Sequence, residues 1–322
     1  MFTRRAALTA LAGLAATRVA RAQDFPSRPL TIVVPYPAGG PVDVMARLVA
    51  QLISPSLGQP TTVDDRSGGA GVIGTVAVAR AAPDGHTLVL GTNQTHATNQ
   101  SLLKNCPYDA VRDFAPVAGL AVIPHVLVVR KTLRVDGVAD LVAAAKQMPD
   151  NFYCGSTGIG SASHLAAELF KSRTGVDIRH VPFRGAAPLL TELLAGRIDV
   201  SFATLPSVIA QIEAGELNAL AVASAKRAER LPRVTTLAEL GITGVEADAW
   251  FALFAPARTR QPTLERLYVA VSDALSAEAA REAVARQGMA LNLRSPTEIG
   301  AWLPGEVAKW AAVIKMAGVV ID

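Results

Sequence analysis

"LTIVVPYPAGGPVDVMARLVAQLI", residues 30–53, decides how the rest of the chain is read. Leu30–Val34 is a short apolar run of strand length. From about Pro41 to Leu57, Met45, Leu48, Val49, Leu52 and Ile53 recur at helical spacing. Between them lies Pro-Tyr-Pro-Ala-Gly-Gly, residues 35–40. A strand that enters a helix through glycines presents unpaired backbone N–H groups at the positive end of the helix dipole, which suits an anion. Glycine lets the backbone approach a ligand closely, and proline stiffens the loop. The competing reading is a rigid turn in which Asp43 merely complements the dipole.

The pattern continues and then repeats. Gly58-Gln59-Pro60 ends the first helix, and "TTVDD" (61–65) reads as a strand. A glycine-rich loop, a helix over 72–82, the stop Pro83-Asp84-Gly85 and a buried strand "TLVLG" (87–91) follow. Strands alternating with helices at this spacing predict a parallel-rich α/β sheet. The same phrase returns as strand "NFYCGS" (151–156), turn "TGIGS" (157–161), a helix over 162–173 and strand "VDIRHV" (176–181). Two similar α/β domains are expected. The apolar runs 116–129 and 247–256 are candidate crossovers, giving one domain of 23–120 plus 252–322 around a second of 121–251. Helices near 262–277, 279–287 and 296–317 complete the first. Two linkers imply a hinge and a cleft between domains, a favoured place for a small ligand.

Composition agrees with two cores, since 322 residues, half of them hydrophobic, exceed one typical domain. Residues 1–22 have a basic start at Arg4 and Arg5, a short apolar stretch and Ala20-Arg21-Ala22, the anatomy of a cleaved signal peptide. Its opening partly matches a twin-arginine signal but lacks the usual aromatic at position 7, which leaves the export route open. It carries four of the 31 basic residues and none of the 27 acidic ones, so the remainder is balanced. That balance gives no electrostatic reason to expect nucleic acid or an anionic membrane as partner. Cys106 and Cys154 make an even count in an oxidising compartment, which permits a disulfide without requiring one.

Candidate contacts gather in four loops. "GSTGIGSASH" (155–164) mirrors the first loop and offers Ser156, Thr157, Gly158, Ile159, Ser161, Ser163 and His164. Hydroxyls beside N–H groups suit a carboxylate or phosphate, although helix capping needs only one of them. His164 is either a ligand contact or a packed histidine. "GTNQTHA" (91–97) ends a strand, where open α/β sheets place ligand loops, and offers Thr92, Asn93, Thr95 and His96. In "VPFRGAAPLL" (181–190) Arg184 precedes a glycine turn and could pair with an acid. Gly69–Gly74 matches G-x-G-x-x-G, but no acidic residue ends a strand about 20 residues later, so a dinucleotide site is not expected. There is no G-x-S-x-G elbow, no H-E-x-x-H pair and no metal-ligand spacing among the five histidines. Neither a metal nor a cofactor is expected. An exported hydrolase using Ser161 or Cys154 is the weaker alternative, and a ligand-dependent signalling receptor would share the same fold.

With those residues in place, the chain resembles the Bug family, the periplasmic receptors of tripartite tricarboxylate transporters. The resemblance rests on "FPSRPLTIVVPYPAGGPVDVMAR", "RAAPDGHTLVLGTNQTHATN", "CPYDAVRDFAPVAGL", "YCGSTGIGSASHLAAELF", "HVPFRGAAPLLTELLAGRIDVSFATLPS", "LNALAVASAKRAERLPRVTTLAELG" and "AWFALFAPA" in this order. It implies a type II periplasmic binding protein, a two-domain Venus flytrap with each domain a mixed sheet flanked by helices. It implies a non-catalytic, monomeric receptor that closes on a small carboxylate and delivers it to membrane permease subunits. The carboxylate would be held largely by backbone groups and bridging water at Tyr36, Pro37, Ala38, Gly39, Gly40 and Asp43, with Ser156–His164 facing it. Thr92, Thr95, His96, Arg184, Gly185, Ala186, Ala187 and Thr204 are carried over with them. Three departures matter. Val42 stands where many relatives have Thr, Ile159 where the residue is often polar, and Ala203-Thr204 where Asp-Asn is frequent. The missing Asp argues against an amino-acid ligand and for a simple organic acid, aromatic or dicarboxylic.

Overall fold

The computed structural model describes residues 25–148 and 151–319; the signal peptide read at 1–22 lies outside them. The chain runs β1 (Leu30–Val34), α1 (Pro41–Leu57), β2 (Thr61–Asp65), α2 (Val72–Ala79) and β3 (Thr87–Thr92). A π-helical turn (Gln94–Thr98) continues into α3 (Asn99–Leu102), and β4 (Phe114–Ile123) follows. Next come β5 (His125–Arg130), α4 (Val138–Gln147), β6 (Tyr153–Ser156), α5 (Ala162–Thr174), β7 (Arg179–Pro182), α6 (Ala186–Leu194), β8 (Val200–Thr204), α7 (Leu205–Glu213) and β9 (Leu217–Val222). The chain closes with β10 (Ala249–Pro256), α8 (Gln261–Ser276), α9 (Glu278–Arg286), β11 (Ala290–Leu291) and α10 (Pro296–Ala317).

Two mixed sheets result, ordered β11-β4-β10-β3-β1-β2 and β7-β6-β8-β5-β9. Both are built on one plan. In the first, β1 is flanked in parallel by β2 and β3, and β10 pairs antiparallel with β3. In the second, β6 is flanked in parallel by β7 and β8, and β5 pairs antiparallel with β8. The repeated phrase in the sequence therefore occupies equivalent places: the two glycine loops leave β1 and β6, and each leads into the helix that follows.

The apolar run 116–129 is two strands, not one. β4 ends at Ile123 in the first sheet, Pro124 intervenes, and β5 starts at His125 in the second. A proline cannot donate to a ladder, so it marks the break. The run 247–256 falls mostly in β10 and stays in the first sheet, so the return from the second lies between Val222 and Ala249. Asn93 ties that return down: its side-chain amide donates to the Asp248 carbonyl (2.9 Å), and its Oδ1 accepts from the Trp250 N–H (3.3 Å).

Burial follows the helical and strand periods read from the sequence. Leu30, Ile32 and Val34 on β1 pack with Met45, Val49 and Ile53 of α1 and with Leu267 and Val271 of α8. Leu189 and Leu193 of α6 and Val208 of α7 cover one face of the second sheet. A third cluster is continuous between the two sheets, joining Val89 and Phe254 to Phe170 and Phe202 through Trp310 and Ile314 of α10. Within it the buried Glu306 carboxylate accepts from the indole N–H groups of Trp250 (3.1 Å) and Trp310 (2.6 Å). A polar group at that depth needs such donors. Among the described residues no helix is long and apolar enough to cross a membrane.

Candidate functional site

The first loop is braced from below. Gly40 precedes α1 in an extended conformation, Pro41 opens the helix, and no side chain caps it. The buried Asp43 carboxylate accepts from the Gly39 N–H (2.8 Å) and pairs with Arg47 (2.7 Å), whose other arm reaches Asp65 (2.9 Å). Burial alone would raise the Asp43 carboxyl, but the Gly39 N–H and Arg47 outweigh it and hold its pKa below the ordinary value. Asp65 moves the other way, raised by burial and by the charge on Asp43. Asp43 therefore shapes the loop from behind. Asp43→Asn keeps an oxygen toward Gly39 but loses the charge on Arg47. It should lower the unfolding free energy by about 1–2 kcal/mol and weaken ligand binding several-fold, read by urea unfolding and calorimetry. Unchanged stability would show that the brace is idle.

Pro37, Ala38 and Gly39 are exposed and Tyr36 is half-buried. The Tyr36 hydroxyl lies 2.8 Å from Thr92 Oγ1 and donates to Gln94 Oε1 (3.3 Å). Burial pushes its phenol up to about 12, against the Thr92 hydrogen bond, so it is a neutral hydroxyl at every ordinary pH. Gln94 opens the π-helical turn, and at the end of that turn the Thr98 hydroxyl donates to the carbonyl of Gly160 (3.3 Å). The turn thus physically bridges the first glycine loop to the second. Neither Gln94 nor Thr98 stood out in the sequence, because polar residues after a strand look like any exposed loop.

Thr95 and His96 are fully buried. The His96 ring stacks on Phe254 (centroids 4.1 Å, 12°) and meets the edge of Phe114, and its Nδ1 lies 2.9 Å from Thr95 Oγ1. Burial pulls its pKa down to about 3, so it is a neutral ring packed within the core.

Hydroxyls of the second loop build the loop. Ser156 Oγ donates to the Gly158 carbonyl (3.0 Å) and lies 2.6 Å from His180 Nε2. Ser163 Oγ accepts from the Thr157 N–H (3.0 Å). Ser161 caps α5, accepting from the His164 N–H (3.3 Å) while its hydroxyl donates to the Gly158 carbonyl (2.7 Å). Ser161 thus bonds backbone and the Ser163 hydroxyl (3.0 Å), not an imidazole. Ile159 stands 40% exposed at the tip.

The remaining candidates lie beside this loop. The Phe183 and Gly185 N–H groups donate to the carbonyls of Ser156 (2.9 Å) and Thr157 (3.3 Å), which seats 183–187 against it. Arg184 and Ala187 are exposed. Thr157, Ala186 and Thr204 line one small recess with Ser207, floored by Leu189 and Val208. Thr204 Oγ1 lies 2.6 Å from Ser207 Oγ, a partner the sequence reading missed.

The permitted disulfide is not formed: Cys106 and Cys154 are both free thiols. Cys154 is buried on β6 with its Sγ 3.8 Å from the Gly155 carbonyl, while Cys106 precedes β4 of the other sheet. Burial pushes the Cys154 thiol up to about 12, the opposite of what a nucleophile needs. The G-x-G-x-x-G run also has a structural cause. A Cβ on Gly74 would come within 2.8 Å of the Arg66 carbonyl and 3.0 Å of Pro35 Cα, so the glycine lets α2 pack against the exit of β1.

Comparisons with known proteins agree with this architecture. Residues 45–319 match the tripartite tricarboxylate transporter family receptor. Protein BugT of Bordetella pertussis is 37% identical over 310 residues, covering 96% of this chain and 94% of that protein. The solved structure of R. palustris Rpa4515 with adipate is 38% identical, with a TM-score of 0.87 over 92% of this chain and 99% of that one. MatC from Rhodopseudomonas palustris with bound malate is 32% identical, with a TM-score of 0.82 over 90% of this chain and all of that one (100%). The fold is the two-domain periplasmic binding-protein fold. By sequence and by structure, this chain belongs to the tripartite tricarboxylate transporter receptor family, the Bug proteins among them.

Proposed function

We propose that this chain is an exported, periplasmic, non-catalytic receptor that holds a small organic carboxylate between its two domains and hands it to a tripartite tricarboxylate-type permease. One observation carries the reading. Two glycine loops leave equivalent strands, β1 and β6, and are joined through Tyr36, Gln94, Thr98 and Gly160. The relatives solved with adipate and malate support a carboxylate as the occupant. On this reading the first domain comprises 23–123 plus 249–322 and the second 124–248, with the hinge where the chain crosses between the sheets. These bounds are shifted from the expected 23–120 plus 252–322 and 121–251 because β4 and β10 lie whole in the first sheet. Residues 1–22 direct export and are removed, and the mature protein acts as a monomer.

The ligand we infer is an acid without an amino group. Ala203 and Thr204 bring no carboxylate to the recess beside the second loop, whose polar side chains are the hydroxyls of Thr157, Thr204 and Ser207. An ammonium group buried there would lack a counter-charge. Thermal unfolding of the protein from residue 23 onward, with adipate, malate, citrate, benzoate, nicotinate, aspartate and glutamate, tests both statements. A ligand that binds only the folded state at about 100 times its Kd adds about 2.7 kcal/mol. Stabilisation by at least one of the five simple acids and by neither amino acid is expected. Stabilisation by no acid, or chemical turnover of a bound one, would overturn the receptor reading. A preference for glutamate would overturn the ligand class alone.

A further inference from the structure

The buried side of the second loop carries a histidine pair that ligand contact does not explain. His164, in the first turn of α5, and His180, on β7, stack face to face with ring centroids 3.7 Å apart and planes at 11°. His164 Nδ1 accepts the Gly160 N–H at 3.0 Å. That nitrogen therefore carries no proton, and the hydrogen of the neutral ring sits on Nε2, which faces Glu168 Oε1 at 3.7 Å. Gly160 is also where this loop meets the first domain. Its carbonyl accepts from Thr98 Oγ1 at 3.3 Å, and a Cβ there would fall 2.0 Å from Leu102, so only glycine fits. One residue is held by His164 on one side and by the other domain on the other.

A proton on Nδ1 turns this acceptor into a donor and sets N–H against N–H. It also places a charge in a buried stack of two imidazoles. The groups that face the ring are Glu168 and Lys171 on α5 and His180 on β7. Glu168 favours the proton, whereas Lys171, 3.0 Å from Glu168, opposes it. Burial, helped by Lys171, brings His164 down to about 4, and burial with the neighbouring His164 does the same to His180. The ring is neutral while the contact is made and regains its ordinary basicity once it meets water.

We propose that His164 is a proton-sensitive positioning residue, whose protonation at Nδ1 unlatches Gly160 from Thr98 and loosens the second loop's hold on its ligand. The proposal rests on the reading of that loop as ligand-holding. The proton favours the released state, so affinity falls as pH drops from about 6.5 toward about 4. If release restores an ordinary histidine, affinity at pH 5.5 is about 10-fold weaker than at pH 7.5.

His164→Asn places Oδ1 where Nδ1 stood, an acceptor at every pH, whereas His164→Ala removes the acceptor. Adipate and malate binding is measured by calorimetry at pH 7.5 and 5.5 for the wild type and both variants, with circular dichroism confirming the fold. The wild type should lose about 10-fold more affinity than His164→Asn between the two pH values, a difference that cancels the ligand's own titration. His164→Ala should bind weakly at both. The amide signal of Gly160 in ¹⁵N spectra of the ligand-free protein should move with pH in the wild type and stay still in His164→Asn. If neither acid binds any variant, the carboxylate reading fails while the Gly160 signal still decides the latch. An equal pH step in wild type and His164→Asn, or a Gly160 amide indifferent to pH, would overturn the proposal.

Discussion

Replacing Gly40 with valine is expected to abolish ligand-dependent stabilisation while leaving the ligand-free protein almost as stable as the wild type. Gly40 has φ −82° and ψ 170°, an extended conformation that a residue before proline adopts readily and a β-branched residue tolerates. A Cβ there meets only the Pro37 carbonyl, at 3.8 Å. Nothing in the protein needs glycine at this position, so the requirement comes from whatever approaches the start of α1. Gly39 is a poorer test. Its φ of +83° lies in the left-handed region, and a side chain there costs about 1–2 kcal/mol before any ligand is considered. Two methyl groups standing where a carboxylate should reach the backbone should weaken binding more than 100-fold, about 2.7 kcal/mol. Gly40→Ala should fall between. Calorimetry with whichever acid stabilises the wild type, beside the unfolding midpoint of the free variant, separates the outcomes. Unchanged affinity would mean that the loop only turns the chain, and a large fall in the free midpoint would mean a structural lesion.

What was legible in the sequence was whatever depends on local pattern. β1, β2, α1 and α10 lie where apolar periodicity bounded by proline and glycine predicts them. The repeated strand, glycine turn, helix and strand correspond to equivalent positions in the two sheets. What was hidden depends on partners distant in the chain. β5 reads as part of one long apolar run because its antiparallel neighbours, β8 and β9, lie some 70 residues or more further on. The segment after β3 reads as a polar loop. It folds inward because Thr95, His96, Thr98 and Asn99 find side-chain and backbone partners there, Asn99 reaching the Ala70 carbonyl (3.0 Å) and the Tyr108 hydroxyl (3.0 Å). Histidine is the hardest residue to read. As a single letter, His96 in a stack with Phe254 and His164 under a glycine loop are indistinguishable from ligand contacts. Their surroundings assign them to the core and to the loop's underside. Asp43 was half legible: its place in the first helical turn suggested an acid that complements the dipole, while its bond to Gly39 depends on loop geometry.

Acidification from pH 7.5 to 5.5 is expected to lower the unfolding free energy of the ligand-free protein by roughly 2 kcal/mol, more than exposed charges would account for. Burial brings His96 down to about 3 and His125 down to about 4, while an unfolded histidine titrates near 6.5. Between about pH 6.5 and pH 4 the unfolded chain binds more protons, so stability rises with pH across that window and falls as acid is added. Each of these two rings contributes about 1.4 kcal/mol over the two pH units, whereas His164 adds little, because the unlatched ligand-free protein takes up its proton as the unfolded chain does. His180 is less buried and adds a smaller amount. Asp248 works in the opposite sense. Burial raises it to about 6 despite its bond from Ser224, so the folded state takes up its proton first, which returns about 0.8 kcal/mol. Urea unfolding at the two pH values measures the balance. His164→Asn should lower stability at both, through lost stacking, and leave the pH slope of the ligand-free protein as it is. A slope flattened by about a third or more would mean that burial holds the His164 imidazole neutral in the free protein and that no latch opens between these pH values.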